Sequence, residues 1–264
     1  MACLIKLYTK SLKKQTIIVI INFMDIEKRF YELAARTDER CYVTFSDFLN
    51  MEEQSKLNKM KLNIPYTLFG GYDMAERCVA GFGYGSDEAV FPIAIIRAEP
   101  AQQKFADKLS HRDILGSLMG LGIKREVIGD IIISNNTGYI FCLESIAEYI
   151  CRNLGKIRHT SVKCTIADKL PDEIGDNAKE KEIIVASIRL DTVIAGVYNL
   201  SRNAVKEYFT NRKIFVNSTL CENFSYNLKD GDIISVRGKG RFVFIGILGN
   251  TKKNRSIIKI NLYE

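Results

Sequence analysis

The stretch Asp130–Leu143, DIIISNNTGYIFCL, decides how the middle of this 264-residue chain folds. Two runs rich in Ile, Tyr and Phe flank Asn135-Asn136-Thr137-Gly138. Asparagine and glycine tolerate the positive φ angles of a tight turn. The pattern therefore predicts a β-hairpin with strands over Asp130–Ser134 and Tyr139–Leu143.

The segments around this hairpin supply one helix and one strand on each side. Their order is strand, helix, hairpin, helix, strand, which is the split βαβ arrangement of ferredoxin-like and RNP-type folds. The predicted flanking elements are a strand over Phe91–Arg97, a helix over His111–Gly120 capped by Ser110, a helix over Ser145–Leu154 and a strand over Ser161–Ile166.

The rest of the chain predicts further helices and strands, so we expect an α+β fold. Helical spacing favours a first helix from Met24 to about Arg40, and Ser46 is a candidate cap for a second helix. The predicted parts are an extension over 1–23, an N-terminal α/β segment over 24–90, an RNP-like middle domain over 91–168, a linker over 169–182 and a C-terminal module with final strands over 183–264.

The positive charge of the chain is confined to its C-terminal part. The net charge is +7, and residues 183–264 alone hold 13 Lys and Arg against 6 Asp and Glu. The other 182 residues hold 25 of each sign. A neutral body joined to a basic module indicates a polyanion such as RNA as the partner.

Cysteine and histidine usage argues against metal, disulfide and cofactor chemistry. The seven cysteines include no Cys-x-x-Cys pair, and the chain has two histidines. We therefore expect neither a zinc site nor a disulfide framework, and a reducing cytoplasm fits the composition best. The apolar run Ile17–Ile21 is far shorter than the roughly 20 residues of a membrane span. Neither a membrane nor a small-molecule substrate is expected as a partner.

Four pieces of residues 183–264 combine cations with helix and turn signals. Ser201 can cap a helix on which Arg202 and Lys206 share one face. The segment Arg237-Gly238-Lys239-Gly240-Arg241, if extended, places its three cations on one face. These pieces are Arg189-Leu190-Asp191, Ser201-Arg202 with Lys206, Arg212-Lys213 followed by Val216-Asn217, and Lys229-Asp230-Gly231-Asp232 leading to Arg237–Arg241.

In this order and spacing, the pieces resemble the S4 domain, a small RNA-binding module. The resemblance covers about residues 183–245 and departs from the S4 pattern where Arg212 and Ser218 replace glycines. It implies RNA contacts along these pieces, and phosphate contacts of this kind supply affinity without reading sequence. The expected RNA-binding residues are Arg189, Ser201, Arg202, Lys206, Arg212, Lys213, Asn217, Arg237, Lys239 and Arg241.

Motifs upstream narrow the resemblance to the bacterial YlmH family of S4-domain proteins. The similarity runs from about Met24 to the end, and residues 1–23 lie outside it. It implies a non-enzymatic factor that binds rRNA and tRNA on the large ribosomal subunit, in quality control of stalled peptidyl-tRNA complexes. The motifs are Phe69-Gly70-Gly71-Tyr72, Ala75-Glu76-Arg77, Ser110-His111-Arg112-Asp113, Leu115-Gly116, Leu121-Gly122-Ile123-Lys124-Arg125-Glu126 and Ile128-Gly129-Asp130.

Two further RNA surfaces are conceivable in the middle of the chain. Cations and a histidine in the family motifs form a candidate second surface, and two aromatic residues that alternate on one strand could stack bases as in RNA-recognition motifs. Same-face aromatics in strands more often belong to a core. The residues concerned are His111, Arg112, Lys124 and Arg125 for the first surface, and Tyr139 and Phe141 for the second.

Two other functions stay open. The first is an RNA-modifying enzyme of the pseudouridine-synthase type, because S4 modules are often appended to such enzymes and Arg189-Leu190-Asp191 resembles their catalytic motif. The second is a division-linked interaction protein. No separate catalytic domain of adequate size is left for the first, and no amphipathic membrane helix supports the second.

Overall fold

The computed structural model describes residues 26–38, 42–171 and 178–263. The chain divides into two compact units, Met1–Asp168 and Lys169–Glu264. Helices and several β-sheets occur in the described residues, so the predicted α+β class is confirmed. The predicted extension over 1–23 and the predicted helix start at Met24 lie outside those residues.

The first helix among the described residues packs on a three-stranded antiparallel sheet of order β1-β3-β2. Phe30 of the helix is fully buried, and its ring centroid lies 6.1 Å from that of Phe82 in the sheet. The elements are α1 over 26–38, β1 Thr44–Leu49, α2 Met51–Lys59, β2 Tyr66–Phe69 and β3 Cys78–Phe82.

Ser46 does not cap the second helix as predicted, because it lies inside strand β1. Its hydroxyl accepts a hydrogen bond of 2.9 Å from the backbone N–H of Ala80 across the sheet. The helix instead begins after Asn50, whose side chain accepts from the N–H groups of Glu52 and Glu53. Glu53 in turn accepts from the Asn50 N–H at 2.7 Å, which completes a capping box.

The second part of the first unit is a five-stranded antiparallel sheet of order β5-β6-β4-β8-β7. Helices α3 and α4 pack on one face through a core that includes Ile96, Ile114 and Ile140. The elements are β4 Ile93–Pro100, α3 His111–Gly120, β5 Ile128–Ser134, β6 Thr137–Leu143, α4 Glu144–Asn153, β7 Lys156–Ile157 and β8 Thr160–Ala167.

The predicted succession of strand, helix, hairpin, helix and strand is present, with β7 as an additional short strand. Ser134 pairs with Thr137 across a turn of two residues. Asn135 and Asn136 in that turn have φ angles of 49° and 58°. The predicted hairpin is therefore confirmed, and its turn consists of the two asparagines, which adopt positive φ at lower cost than most residues.

The second unit pairs two short helices with a six-stranded antiparallel sheet of order β11-β10-β12-β13-β14-β9. Leu190, Val193 and Phe209 of the helices pack against the sheet. The elements are β9 Lys179–Val185, α5 Leu190–Tyr198, α6 Arg202–Thr210, β10 Ile214–Val216, β11 Thr219–Leu220, β12 Ile233–Val236, β13 Gly240–Asn250 and β14 Ser256–Tyr263.

The linker predicted over 169–182 extends too far, because Lys179–Val185 forms strand β9 at the edge of this sheet. Ile257 and Ile258 of β14 pair with Ile184 and Ile183 of β9. The Lys and Glu residues at 179–182 are the charged side chains typical of an edge strand, where they discourage pairing with another chain. Residues 172–177 of the predicted linker lie outside the described ranges.

Candidate nucleic-acid interface

The helix pair of the second unit presents two cations on one exposed face. Helix α5 ends at Asn199, which has a left-handed φ of 50°, and the chain then turns into α6. Ser201 caps α6 by accepting from the Ala204 N–H at 3.2 Å, as predicted. Arg202 and Lys206 lie one turn apart on α6 and are both exposed. A phosphate backbone alongside α6 would meet both cations.

The segment that joins α6 to β10 adds two exposed cations, Arg212 and Lys213. The Lys213 ammonium lies 5.7 Å from the centre of the Tyr208 ring. Arg212 and Ser218, the two departures from the S4 pattern, have φ angles of 54° and 59°. They thus adopt the backbone conformation that glycine favours, at a conformational cost that glycine would avoid.

The segment Arg237–Arg241 is not extended, so the prediction that its cations share one face of a strand is wrong. Val236 pairs with Gly240, and the Lys239 N–H donates to the Val236 carbonyl at 2.9 Å, which closes a tight hairpin turn. Gly238 and Gly240 make this turn possible because their φ angles are 81° and 120°.

The hairpin turn nevertheless gathers cations at one end of the sheet. The Arg237 N–H donates to the Lys213 carbonyl at 2.9 Å, which brings the α6–β10 segment beside the turn. The Arg237 guanidinium lies 5.4 Å from the centre of the Phe215 ring, and Arg241 donates to the Ser235 hydroxyl at 2.9 Å. Lys239 is exposed at the turn. The cations form a cluster around a turn instead of a row along a strand.

Two residues predicted to bind RNA, Arg189 and Asn217, form hydrogen bonds inside the protein. The Arg189 guanidinium donates two hydrogen bonds to Asp191, of 3.1 and 2.7 Å, so a neighbouring carboxylate balances its charge. The Asn217 side chain donates to Asp232 at 2.8 Å and accepts from the Ile233 N–H at 2.9 Å. Asn217 therefore holds a turn together, and its predicted contact with RNA would have to displace these bonds.

The four residues of the candidate second surface, His111, Arg112, Lys124 and Arg125, differ in how accessible they are to a partner. The Arg125 guanidinium donates to the carbonyls of Ile128 and Gly129, and burial lowers the Arg125 pKa to about 10, with the nearby Arg77 as a further cause. Partial desolvation, followed by the charge of Arg125, lowers the pKa of His111. Two of the four residues, Arg112 and Lys124, are exposed cations with no described role in the fold, whereas Arg125 is tied to the backbone.

Base stacking on the middle sheet, the other possibility, meets a steric obstacle. Tyr139 and Phe141 are 7% and 0% exposed. The Phe141 ring lies 5.1 Å from that of Tyr72, which belongs to the N-terminal segment. Bases cannot reach the Phe141 ring without removing that segment, and Tyr139 is buried as well, so the core interpretation of these aromatics is correct.

Comparison with known proteins reaches most of the chain. Residues 87–169 match a family model described as a putative RNA-binding domain in YlmH. The chain is also 29% identical over 252 residues to a Bacillus subtilis protein, the ribosome-associated protein quality control protein P2. The alignment covers 89% of this chain and 94% of that protein. The resemblance to the YlmH family is confirmed. A solved structure of the cell division protein ylmH from Streptococcus pneumoniae aligns with a TM-score of 0.43 and 17% identity, over 56% of this chain and 92% of that one.

Several of the motifs that carry the YlmH resemblance contact one another at one place in the first unit, here called the joint. The Asp130 carboxylate accepts hydrogen bonds from the Tyr72 hydroxyl at 2.9 Å and from the N–H groups of Glu76 and Arg77 at 2.6 and 3.1 Å. Gly129 permits close packing here, since a Cβ on it would lie 2.6 Å from the Phe48 ring.

Arg77 completes this joint in the YlmH-like chain. Its guanidinium donates to the carbonyls of Phe48, Arg125 and Ile128, and thereby ties β1 to the start of β5. Burial lowers the pKa of Arg77, and the surrounding carboxylates, Glu53 first among them, oppose that shift. The motif residues Tyr72, Arg77 and Asp130 therefore stabilise the fold, and no local signal in the sequence indicates that they contact one another.

The structure also addresses metals and membranes within the ranges it describes. No group of three or more His, Cys, Asp and Glu side chains among the described residues is placed to hold a metal ion. No helix in those ranges is long and apolar enough to cross a membrane. Burial raises the pKa of the Cys142 and Cys164 thiols to about 12 each, so both favour the unreactive protonated form.

Proposed function

We propose that the chain binds ribosomal RNA and tRNA on the large ribosomal subunit, with an S4-type module in residues 183–264 as the principal contact. The observation that carries this proposal is the clustering of cations on α6 and at the adjoining end of the sheet. Arg202, Lys206 and Lys239 are exposed, and none of the three forms an ion pair with another described residue. Unpaired, exposed cations are available to phosphates.

The arrangement of the second unit supports the S4 assignment. A helix pair, the second helix capped by Ser201, is followed by a tight turn, a short hairpin and a second hairpin. The positive φ of Arg212 and Ser218 retains the turns that glycines would supply. In the first unit, the strand order β5-β6-β4-β8 is antiparallel with helices on one face, which fits the proposed RNP-like middle domain.

The cellular role that we propose is ribosome-associated quality control, in the cytoplasm and without catalysis. The name of the Bacillus subtilis relative and the description of the family model support a ribosomal, RNA-binding role. In the proposed scheme Arg189-Leu190-Asp191 is structural, because Asp191 accepts from Arg189 and from the Thr192 N–H at the start of α5. This accounts for the segment that resembles a pseudouridine-synthase motif.

The decisive experiment compares two charge-matched double variants of the full chain. R202Q/K206Q removes the α6 cations, and K252Q/K253Q removes two exposed cations in the turn between β13 and β14. Each lost phosphate contact lowers the slope of log K against log salt by about 0.7 to 0.9. We therefore expect R202Q/K206Q to lower the slope for ribosomal RNA by about 1.5, and K252Q/K253Q to leave it unchanged.

Gradient sedimentation with purified ribosomal subunits extends this test to the proposed partner. Wild-type protein and K252Q/K253Q should travel with large subunits at low salt, and R202Q/K206Q should be released at a lower salt concentration. Equal slopes for the two variants, with equal melting temperatures, would show that α6 is not the RNA-binding face. Co-sedimentation with small subunits alone would contradict the proposed partner.

A further inference from the structure

The aromatic residues on the face of the middle sheet that RNP-type domains offer to bases are buried in this chain. Phe141 on β6 lies under Tyr72, and Phe91 packs edge-on against Phe45 and Phe69, with ring centroids 5.1 and 5.4 Å apart. These aromatic contacts come from the N-terminal segment of the same unit. Stacking of bases on these rings is therefore blocked, and RNA bound by the matched domain over 87–169 would have to contact other side chains.

The exposed edge of the same sheet is basic. Strand β7 is the last strand in the order β5-β6-β4-β8-β7, and a tight turn connects it to β8. Residues 155–163 carry Lys156, Arg158 and Lys163 and no carboxylate, and all three side chains are exposed. The edge therefore presents a short run of cations.

A neighbouring loop is fixed against this hairpin and brings further cations to it. The Asp107 N–H donates to the Thr160 hydroxyl at 3.0 Å. The Asn136 side chain accepts from the Leu109 N–H at 2.7 Å and donates to the Asp107 carbonyl at 3.1 Å. These bonds hold the residue that follows Asp107, the exposed Lys108, beside the β7–β8 hairpin.

The start of helix α3 borders the same place. Arg158, in the β7–β8 turn with a φ of 53°, lies 3.6 Å from a carboxylate oxygen of Asp113 in the first turn of α3. Arg112 precedes Asp113 and is exposed. Residues 107–113 and 155–163 together hold five Lys and Arg against two Asp, so the surface is positive even with both carboxylates ionised.

We propose that Lys108, Arg112, Lys156 and Arg158, here called the hairpin surface, bind RNA phosphates as a second contact. The inference rests on the proposed RNA-binding function and names the part of the matched domain that performs it. The local backbone is already ordered by the bonds of Asp107 and Asn136, so RNA binding would fix mainly the cationic side chains. Contacts of this kind recognise the phosphate backbone and not the base sequence.

The test uses the full chain and fluorescein-labelled fragments of bacterial ribosomal RNA, with affinity measured from low to moderate salt. The variant K108Q/K156Q removes two cations of the hairpin surface. The control K59Q/K61Q removes two exposed lysines at the end of α2, in the same unit and with the same chemistry. We expect K108Q/K156Q to lower the slope of log K against log salt by about 1.5 and the control to leave it unchanged.

Two additional variants, R112Q and R202Q/K206Q, distinguish failure of the hairpin surface from failure of the proposed RNA-binding function. R112Q replaces an exposed side chain on another element, and should lower the slope by about 0.7 to 0.9 even if K108Q/K156Q proves unstable. One outcome would contradict only the hairpin surface: the wild type binds RNA and R202Q/K206Q weakens this binding, but K108Q/K156Q and R112Q both behave like the control. In that case the proposed function stands. If the wild type shows no salt-dependent binding, both proposals are wrong.

Discussion

Replacing Asn217 with alanine should destabilise the second unit without changing the salt dependence of RNA binding. The Asn217 side chain joins the β10–β11 turn to the start of β12 through its bonds with Asp232 and the Ile233 N–H. Asp232 is 5% exposed, and its carboxylate also accepts from the Tyr226 hydroxyl and the Lys229 N–H. The amide of Asn217 is thus one of the three donors to a buried carboxylate.

The expected loss follows from three contributions. A hydrogen bond to a charged acceptor contributes about 1.5 to 3 kcal/mol, and a neutral one about 0.5 to 1.5 kcal/mol. Asn217 also has a φ of 48°, a conformation that costs alanine roughly 1 to 2 kcal/mol. Because Asn217 is exposed and water can replace part of each bond, we expect N217A to lower the free energy of unfolding by about 3 kcal/mol.

The variant N217G separates the backbone contribution from the hydrogen bonds. Glycine loses both side-chain bonds but adopts positive φ freely, so N217G should be about 1 kcal/mol more stable than N217A. Urea titrations followed by near-ultraviolet circular dichroism give both free energies. The same proteins, at temperatures where they are folded, give the dependence of log K on log salt.

One combination of results would refute the structural role of Asn217. If N217A stays within about 0.5 kcal/mol of the wild type and binds ribosomal RNA much more weakly, the amide contacts RNA and does not hold the turn. Loss of stability with unchanged affinity in the folded protein would instead remove Asn217 from the RNA-binding set.

Three further outcomes are expected. G129A should lower the free energy of unfolding by about 1 to 3 kcal/mol in urea titrations, since the new methyl group would meet the rings of Phe48 and Phe141; a neutral result would mean that the joint relaxes freely. S201A should cost about 1 kcal/mol through the lost cap of α6, and S201D should restore most of it. The folded-state pKa of His111 lies below its ordinary value, so the unfolded chain binds the proton more tightly and stability falls as the pH drops through the ordinary histidine range. Between pH 7 and pH 5, H111Q should therefore lose less stability than the wild type, and a histidine pKa at or above the usual value by NMR would contradict this.

Several features were predictable because a few neighbouring residues determine them. Ser110 and Ser201 cap their helices through hydroxyl groups that reach an N–H three residues ahead. Asn135 and Asn136 form the hairpin turn through their own backbone preferences. The basic composition of residues 183–264 likewise requires no structure to be recognised. The grouping of cations on α6 follows from helical periodicity alone.

Other features depended on residues distant in the sequence, and there the predictions went wrong or stayed incomplete. Ser46 looks like a cap, but strand β3 supplies the N–H of Ala80 to its hydroxyl, 34 residues away. Residues 179–182 lie in the polar segment predicted as a linker, but they pair with β14. Arg237–Arg241 reads as an extended run, whereas pairing between β12 and β13 forces it into a turn.

The sequence by itself therefore determined the caps at Ser110 and Ser201, the asparagine turn of the middle hairpin, the charge asymmetry and the family resemblance. The caps and the turn depend on local backbone energetics, and the charge asymmetry depends on composition. Only the tertiary structure decided which surfaces stay accessible. Phe141 is covered because Tyr72 packs on it. The Asp130 carboxylate accepts its hydrogen bonds from donors more than 50 residues away in the sequence. Burial of one face of a sheet is a property of the packed chain, because any segment that brings enough apolar surface can cover it. The side chains left for RNA are those that such packing does not use.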